Sequence, residues 1–404
     1  MRRDGERPLM RAPSAREVGT AFLKLGLGSF GGPIAHLGYF HREFVERRRW
    51  LDEAHFGQLL ALCQLLPGPA SSQLGFSLGL LRAGWGGAIA AFLAFTAPSA
   101  VLLFAFAAGS ERLTSPLGQG AVHGLKLVAV AVVAQGLLGM ARTLSPDRNR
   151  ALIAAAAAAL IAVGGAALQL PVVAGGALLG PWLCRVVTAR HGEPFALAYG
   201  RRAGAALIAV FAALLLAAML LAPRLPPLAQ VAGAFYRTGA LVFGGGHVVL
   251  PLLEHAVVDP GWIGEDAFLA GYGAAQAVPG PMFSLAAYLG ARLAGGHGGL
   301  LGAVVALLAL FLPGLLLVAG ALPFWRALAA RDVTARMLAG VNAAVVGLLA
   351  AALYDPVWIT AVRDAKDFAI ALAAFVLLVA VRWPPLAVVG GCVAAAGLRA
   401  ALSL

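Results

Sequence analysis

Apolar residues fall into thirteen blocks along this chain, at 17–34, 55–80, 85–109, 117–142, 150–168, 171–188, 203–222, 234–250, 268–294, 298–322, 335–354, 367–382 and 384–404. Short polar stretches separate them. A helix needs about 20 consecutive apolar residues to cross a bilayer, and many of these blocks reach that length. The pattern predicts an all-α polytopic membrane protein.

The blocks repeat. SFGGPIAHLGYF (29–40) and LCQLLPGPASS (62–72) are echoed by VFGGGHVVLPLL (242–253) and AAQAVPGPMFS (274–284). Phe30, Gly31 and Gly32 match Phe243, Gly244 and Gly245 at an offset of 213 residues. Gln64, Pro67, Gly68 and Pro69 match Gln276, Pro279, Gly280 and Pro281 at an offset of 212. Pro98 aligns with Pro313, and GLKLVAV from Gly124 with GVNAAVV from Gly340. Duplicated halves with helix-breaking motifs at matching places predict a transporter built from repeats. Six blocks belong to each half, and 203–222 is an unpaired connector. An odd connector makes the halves enter the membrane in opposite orientations. The expected organisation is a cytoplasmic tail 1–16, a first repeat 17–190, a connector 191–229 and an inverted second repeat 230–404.

Charge then decides which blocks cross. If all thirteen did, starting from inside, the loop with Arg42, Arg47, Arg48 and Arg49 would lie outside. Its counterpart, with Glu254, Asp259, Glu265 and Asp266, would lie inside. Both placements oppose the positive-inside rule. Treating 17–34 with 55–80, and 234–250 with 268–294, as broken or re-entrant hairpins reverses both and leaves the other loops unchanged. About nine full crossings and two opposed hairpins result, with a cytoplasmic N-terminus and an external C-terminus. Local sequence agrees. Gly26, Gly28, Gly31, Gly32 and Pro33 make a poor continuous helix, and PGP at 67–69 and 279–281 must interrupt one. Irregular backbone at membrane depth survives only packed in protein or beside a wet cavity.

Candidate chemistry gathers at those breaks. A helix restarting after Pro69 aims free N–H groups and the hydroxyls of Ser71 and Ser72 into the break; Ser284 does so after Pro281. Such a terminus favours an anion, the plainer alternative being a packing kink. Lys24 and Arg237 occupy equivalent positions ahead of the FGG turns. Lys126 lies deep in an apolar block, with Asn342 as its counterpart. A cation at mid-bilayer needs a partner or a task. No Asp or Glu within the blocks neutralises these three, which points to an anionic substrate unless the side chains snorkel. His36 and His247 each follow an FGG turn, as proton carriers or as structural residues. The arginines 47–49 anchor the inner side or concentrate anions there.

Composition narrows the class further. Sixty-one per cent of residues are hydrophobic and 12% charged, far from a soluble domain. The net charge of +12 sits in loops between blocks, as membrane orientation requires, and gives no reason to expect nucleic acid. Cys63, Cys184 and Cys392 have no metal-ligand spacing and read as buried apolar residues. No metal or cofactor is expected. HExxH, GxSxG and P-loop motifs are absent, so an enzyme and an ATP-driven pump are not expected. The N-terminal MRRDGERPLMRAPSAR reads as a retained tail rather than a signal peptide.

FGGPIAHLGYFHREFVERRRWLDE (30–53) with LCQLLPGPASSQLGFSLGLLRAG (62–84) resembles the first-half signature of the chromate ion transporter superfamily. AAQAVPGPMFSLAAYLG (274–290) and FGGGHVVLP (243–251) resemble its second repeat, in the long two-domain form. The resemblance implies chromate export from a bacterial inner membrane, sulfate as a competing substrate and a homodimer as the assembly. The substrate-binding set it suggests, with the residues above, is Lys24, Gly31, Gly32, His36, Gln64, Pro67, Gly68, Pro69, Ser71, Ser72, Lys126, Arg237, Gly244, Gly245, Gln276, Pro279, Gly280, Pro281, Ser284 and Asn342. Gly246 stands where Pro33 stands in the first half, so the two halves are not expected to act alike. A channel or carrier for another small anion with the same architecture is the alternative.

Overall fold

Proline and glycine set the element boundaries. The computed structural model describes residues 14–30, 32–110, 115–165, 168–185, 195, 197–221, 226–243, 249–294, 298–325, 327 and 331–402. Among them the secondary structure is entirely helical. The first half opens with α1 (Ala15–Gly28), α2 (Gly32–His41, carried on as a π turn Arg42–Arg47) and α3 (Glu53–Leu65). The long α4 (Ala70–Ser110) follows, kinked at Ala83 and Gly84. Then come α5 (Pro116–Leu144), α6 (Arg148–Gly164) and α7 (Gln169–Leu183), with α8 (Arg201–Leu220) as the connector.

The second half repeats the order. It comprises α9 (Pro227–Leu241), α10 (Val249–Val257), α11 (Glu265–Ala277), a 3-10 turn Met282–Ser284 and α12 (Leu285–Arg292). The chain continues through α13 (Gly299–Ala321), α14 (Asp332–Ala352), α15 (Ala365–Val376) and α16 (Pro385–Leu402). Both predicted FGG breaks therefore end a helix, α1 or α9, and both PGP motifs separate a pair, α3 from α4 and α11 from α12.

Helix starts carry the expected caps. Ser14, Asp52, Ser115, Asp147 and Asp364 each accept a hydrogen bond from an N–H of the first turn. Six helical stretches among the described residues are long and apolar enough to cross a membrane: Ala70–Gly109, Pro116–Leu144, Arg201–Leu220, Gly299–Phe324, Asp332–Ala361 and Pro385–Leu402. Five of them fall on expected crossings, and Ala70–Gly109 runs from the expected hairpin block 55–80 into the crossing 85–109. The other three expected crossings are shorter as helices, with 17, 15 and 12 residues in α6, α7 and α15. The connector α8 leaves Val210, Leu214, Leu216 and Met219 exposed. That surface suits lipid, where apolar side chains need no burial.

Packing pairs the halves reciprocally. α5 of the first half lies on α16 of the second, and α14 of the second lies on α7 of the first. The two seams use equivalent glycines: Gly124 meets the Cys392 backbone, and Gly340 meets the Gly176 backbone. Small residues here let backbones touch, the usual way helices associate in lipid. One large core joins α5 with α9–α14, and a second, rich in Phe22, Phe40, Phe44 and Phe95, holds the first hairpin against α4.

One departure from symmetry is plain. α11 packs along α5, while its counterpart α3 packs on α4 rather than along α14. The second hairpin lies along α5 of the other half, whereas the first meets the other half elsewhere, Gln58 of α3 accepting from Trp325 at 3.1 Å.

Candidate functional site

At the first break the chain leaves α3 at Leu66 in extended backbone and turns through Gly68 at φ 120°, a conformation side chains strongly disfavour. The Gly68 N–H donates to the Val242 carbonyl at 2.7 Å. Gln73, one turn into α4, folds back over the break. Its Nε2 donates to the carbonyls of Pro67 (2.9 Å) and Gly314 (3.0 Å). Ser71 and Ser72 are 4% and 3% exposed. Among the described residues, the buried Ser72 hydroxyl and Gln73 Oε1 have no hydrogen-bond partner. Buried polar atoms are nearly always paired, so these two, in the first turn of α4, are groups that a polar ligand or water could satisfy.

The second break repeats this frame with different chemistry. Gly280 turns at φ 99°, and its N–H donates to the Ser29 carbonyl at 2.9 Å. Ser29 and Val242 are equivalent residues, as are Gly68 and Gly280. Each PGP turn is thus tied to the residue just ahead of the other half's FGG turn. Ser284 corresponds to Ser72, but its hydroxyl meets Ser99 Oγ at 2.7 Å. Ser99 corresponds to Gly314, which offers no hydroxyl. Gln276 donates to Met282 Sδ at 3.0 Å. His36, fully buried, approaches the Ser29 carbonyl with Nε2 at 3.2 Å. A carbonyl only accepts, so Nε2 carries the proton and the unpartnered Nδ1 is an acceptor in the neutral ring. His36 donates to an anion only when doubly protonated.

The structure brings Pro67, Gly68, Pro69, Ser71 and Ser72 together at one break and Pro279, Gly280, Pro281 and Ser284 at the other. Gly32 begins α2. Gly31, Gly244 and Gly245 lie outside the described residues, as does His247. Gln64 is exposed. Lys24 is exposed on α1 beside the exposed Leu23 and close to the exposed Leu27, a setting in which a lysine can snorkel. Arg237 is half-buried on α9, and Asn342 is half-buried with an unpartnered Oδ1.

The expectation for Lys126 is corrected. It is 4% exposed, but it is not uncompensated: its Nζ donates to Asp266 in the first turn of α11. Hydrogen-bonded to Lys126, the Asp266 carboxyl is held below the ordinary carboxylate range. An acid that precedes the apolar block in sequence reaches the cation because α11 folds onto α5. Nor do all the acids lie free in loops. Asp367 at the start of α15 is 1% exposed, accepting from Arg399 Nη1 at 2.6 Å and facing His123 Nε2 at 3.0 Å. Lys126 also stands apart from the breaks. Asp266 precedes the last residue of α11 by about 16 Å of helix rise, at 1.5 Å per residue.

Cavities open at both ends of α5. One of about 330 Å³ is lined by Lys126, His123, Asp266, Tyr288, Arg292 and Arg363. A neighbour of about 860 Å³ shares His123 and Arg363 and adds Lys366 and Arg399. At the far end, about 24 Å along α5 by helix rise, a cavity of about 660 Å³ is lined by Phe30, Tyr39, Gln135, Arg142, Arg382 and Trp383. The first hairpin, through Phe30 and Tyr39, therefore reaches the Arg142 end of α5, and the second, through Asp266, reaches the Lys126 end. Sequence reasoning did not single out Gln73, Ser99, His123, Asp266, Arg292 or Arg363 for the site. Ser99 had one available signal, its place beside Pro98, which aligns with Pro313.

An all-helical membrane bundle with two cross-tied helix breaks and cation-lined cavities at its ends has the architecture of a transporter for anions. The chain belongs to the chromate transporter family, whose model matches residues 16–181 and 229–398. Those matches start at equivalent positions of the two halves. A probable chromate transport protein of Synechococcus elongatus is 31% identical over 85% of this chain and 84% of its own length. A chromate transport protein of Pseudomonas aeruginosa is 30% identical over 85% of this chain and 81% of its own. One from Cupriavidus metallidurans is 28% identical over 89% and 86%. No solved structure matches the chain. Members of this family are transport proteins rather than enzymes.

Proposed function

We propose that this protein is a secondary transporter that exports a tetrahedral oxyanion of the chromate class, bound at the first helix break. The observation that carries this reading is the buried Ser72 hydroxyl, unpartnered among the described residues, at the N-terminus of α4 and next in sequence to Gln73, whose Oε1 is likewise unpartnered. A helix N-terminus supplies N–H donors and positive potential to an anion. The oxyanion reading draws on the names of the relatives; sulfate, a dianion of the same shape, competes for such a site.

The halves are proposed to be inverted repeats. The reciprocal Gly68–Val242 and Gly280–Ser29 bonds, the exchanged helix seams and the hairpins at opposite ends of α5 support that relation. The Arg142 and Arg382 end is assigned to the cytoplasm and the Asp266 end to the outside, following the cation distribution. Export follows from the membrane potential. A dianion leaving a cell that is negative inside gains roughly 4.6 kcal/mol per 100 mV, at about 2.3 kcal/mol per charge. The buried Asp367 removes the argument that the chain lacks a carboxylate for coupled uptake, so the direction rests on the potential alone.

Chromate uptake into inverted membrane vesicles tests this reading. Uptake should saturate, rise when the vesicle interior is made positive and show counter-transport. Uptake indifferent to the potential would overturn electrogenic export, and unsaturable flux would indicate a channel. Single cysteines in loops 41–55 and 251–266, probed with an impermeant thiol reagent on whole cells, test the sidedness. Only the second should label.

A further inference from the structure

The cavity of about 660 Å³ at the Arg142 end of α5 differs from those at the other end in the sign of its charge. Asp266 faces one outer cavity and Asp367 the other, so both mix acids with cations. Among the described residues that line the Arg142 cavity, the charged ones are Arg142 and Arg382, and none is acidic. Both arginines are exposed, and neither guanidinium has a partner among the described residues.

The two halves supply one arginine each. Arg142 lies in the last turn of α5, and Arg382 caps the π turn Leu377–Val381 that ends α15. Arg382 sits at φ 61°, the left-handed conformation that glycine adopts with least strain, and the Trp383 N–H donates back to the Leu377 carbonyl at 3.0 Å. That turn leads the chain into α16 and puts Arg382, Trp383 and Leu386 in one wall. The rest of the lining is mostly apolar, with Phe30 and Tyr39 contributed by the first hairpin. A cleft lined by one sign of charge between low-dielectric walls focuses its field and concentrates counter-ions. The cavity also leads inward. Phe30 follows Ser29, whose carbonyl receives the Gly280 N–H, so one wall adjoins a tie between the two halves. Gln135 lines the cavity about 10 Å further into α5 than Arg142, by helix rise.

We propose that Arg142 and Arg382 form the docking site at which a tetrahedral oxyanion is captured from the cytoplasm on its way to the first helix break. This rests on the oxyanion-transport reading and the sidedness above. Two guanidinium groups equal the charge of a dianion, and each presents paired N–H donors that suit its oxygens. Their exposure keeps the hold weak, because water screens charges at a surface. The anion is gathered there rather than trapped, as a first station requires. The acids at the outer end oppose such gathering, so the charge pattern along α5 favours loading from the Arg142 side. The phosphate of an anionic lipid offers the same chemistry, and the test separates the two sources.

Initial rates of chromate uptake into inverted vesicles carrying the full-length protein supply the test. Arg142→Gln combined with Arg382→Gln should raise KM about tenfold at low ionic strength with kcat unchanged, and salt should close the gap to wild type. Lysine at both positions keeps the charges and should restore most of the loss. Arg201→Gln, which removes an exposed cation outside the cavity, should leave KM unchanged. An unchanged KM in the double variant overturns the proposal, and so does an equal rise in Arg201→Gln, which would reduce the effect to general surface potential. Should the double variant fail to reach the membrane, each single variant decides, with KM raised about threefold or the proposal overturned. For the lipid, purified protein in phosphatidylcholine nanodiscs is titrated with chromate, with and without added phosphatidylglycerol. Weaker binding by the double variant in phosphatidylcholine alone supports a free oxyanion. A difference from wild type that appears only with phosphatidylglycerol assigns the arginines to a headgroup and overturns the proposal. Weakened binding in Ser72→Ala beside an unchanged KM in the arginine variants would sink the docking site and leave the break site standing. Wild-type affinity in Ser72→Ala beside a raised KM in the double variant would sink the break site and keep the docking site.

Discussion

The two helix breaks share a backbone and differ in their side chains. Both turn through a positive-φ glycine whose N–H is taken by the opposite half. At the second break Ser284 is locked to Ser99, while the buried Ser29 hydroxyl and His36 Nδ1 stand without a partner among the described residues. At the first, Gly314 stands in place of Ser99, so Ser72 faces no hydroxyl, and Gln73 stands in place of Leu285 and braces the turn. The two halves keep one frame with different serines: at the second break Ser284 is hydrogen-bonded within the protein, and at the first Ser72 is not. The hairpin helices differ in the same sense, α11 closed along α5 and α3 standing clear of α14.

The strongest challenge to this comparison is a methyl group at each turn. A Cβ at residue 68 would lie 2.8 Å from the Gly314 Cα, a backbone atom that cannot step aside. At residue 280 the nearest atom, 2.9 Å away, is the Ser99 hydroxyl, the end of a side chain. Positive φ disfavours alanine at both by about 1–2 kcal/mol, and overpacking adds about 1–3 kcal/mol. Gly68→Ala should therefore destabilise by about 2–5 kcal/mol and Gly280→Ala by less, as measured by thermal unfolding in detergent. Adding Ser99→Ala should recover part of the Gly280→Ala loss. Equal losses with no recovery would mean that the two breaks are packed alike.

Gln73→Leu, which installs the residue found at the second break, comes next. It strips the donor from the buried Gly314 carbonyl and the part-buried Pro67 carbonyl, and a buried carbonyl left unsatisfied costs about 1–3 kcal/mol. A loss of about 2 kcal/mol is expected from the same melts. No loss would show that water replaces the amide, and that the first break is wet rather than braced.

How far the chain announced all this follows from the range of each signal. The breaks were legible because Pro and Gly act locally: PGP removes backbone donors wherever it stands, and Gly68 and Gly280 carry the turn alone. The opposite charge of the two hairpin loops was legible in the arginines of one and the acids of the other. The Lys126–Asp266 pair was not, because 140 residues separate the partners and only the docking of α11 on α5 joins them. Lys24 was ambiguous for the converse reason. Its spacing before the FGG turn matched Arg237, yet spacing does not say which face of α1 looks outward. Gln73 and Ser99 were hidden because a hydroxyl or amide in an apolar helix acquires meaning only from what lies opposite, Gly314 for one and Ser284 for the other.

The smallest effect on stability makes the sharpest distinction. Ser284→Ala removes a buried hydroxyl that has a partner, and Ser99 keeps its other bond, to the Thr96 carbonyl at 3.0 Å. The loss should be about 1 kcal/mol, the net worth of one hydrogen bond, with chromate affinity unchanged. Ser72→Ala removes a buried hydroxyl with no partner among the described residues, so the fold should lose nothing and could gain slightly from shedding an unpaired polar atom. If that hydroxyl donates to the oxyanion, the bond is charge-assisted and worth about 1.5–3 kcal/mol, and affinity should fall about ten- to a hundredfold. The two serines would then separate cleanly, one altering the melt and the other the titration. Ser72→Ala with wild-type affinity would return the first break to a packing role. A common effect of both serines on binding would mean that the anion spans the breaks, and the distinction between them would have to be abandoned.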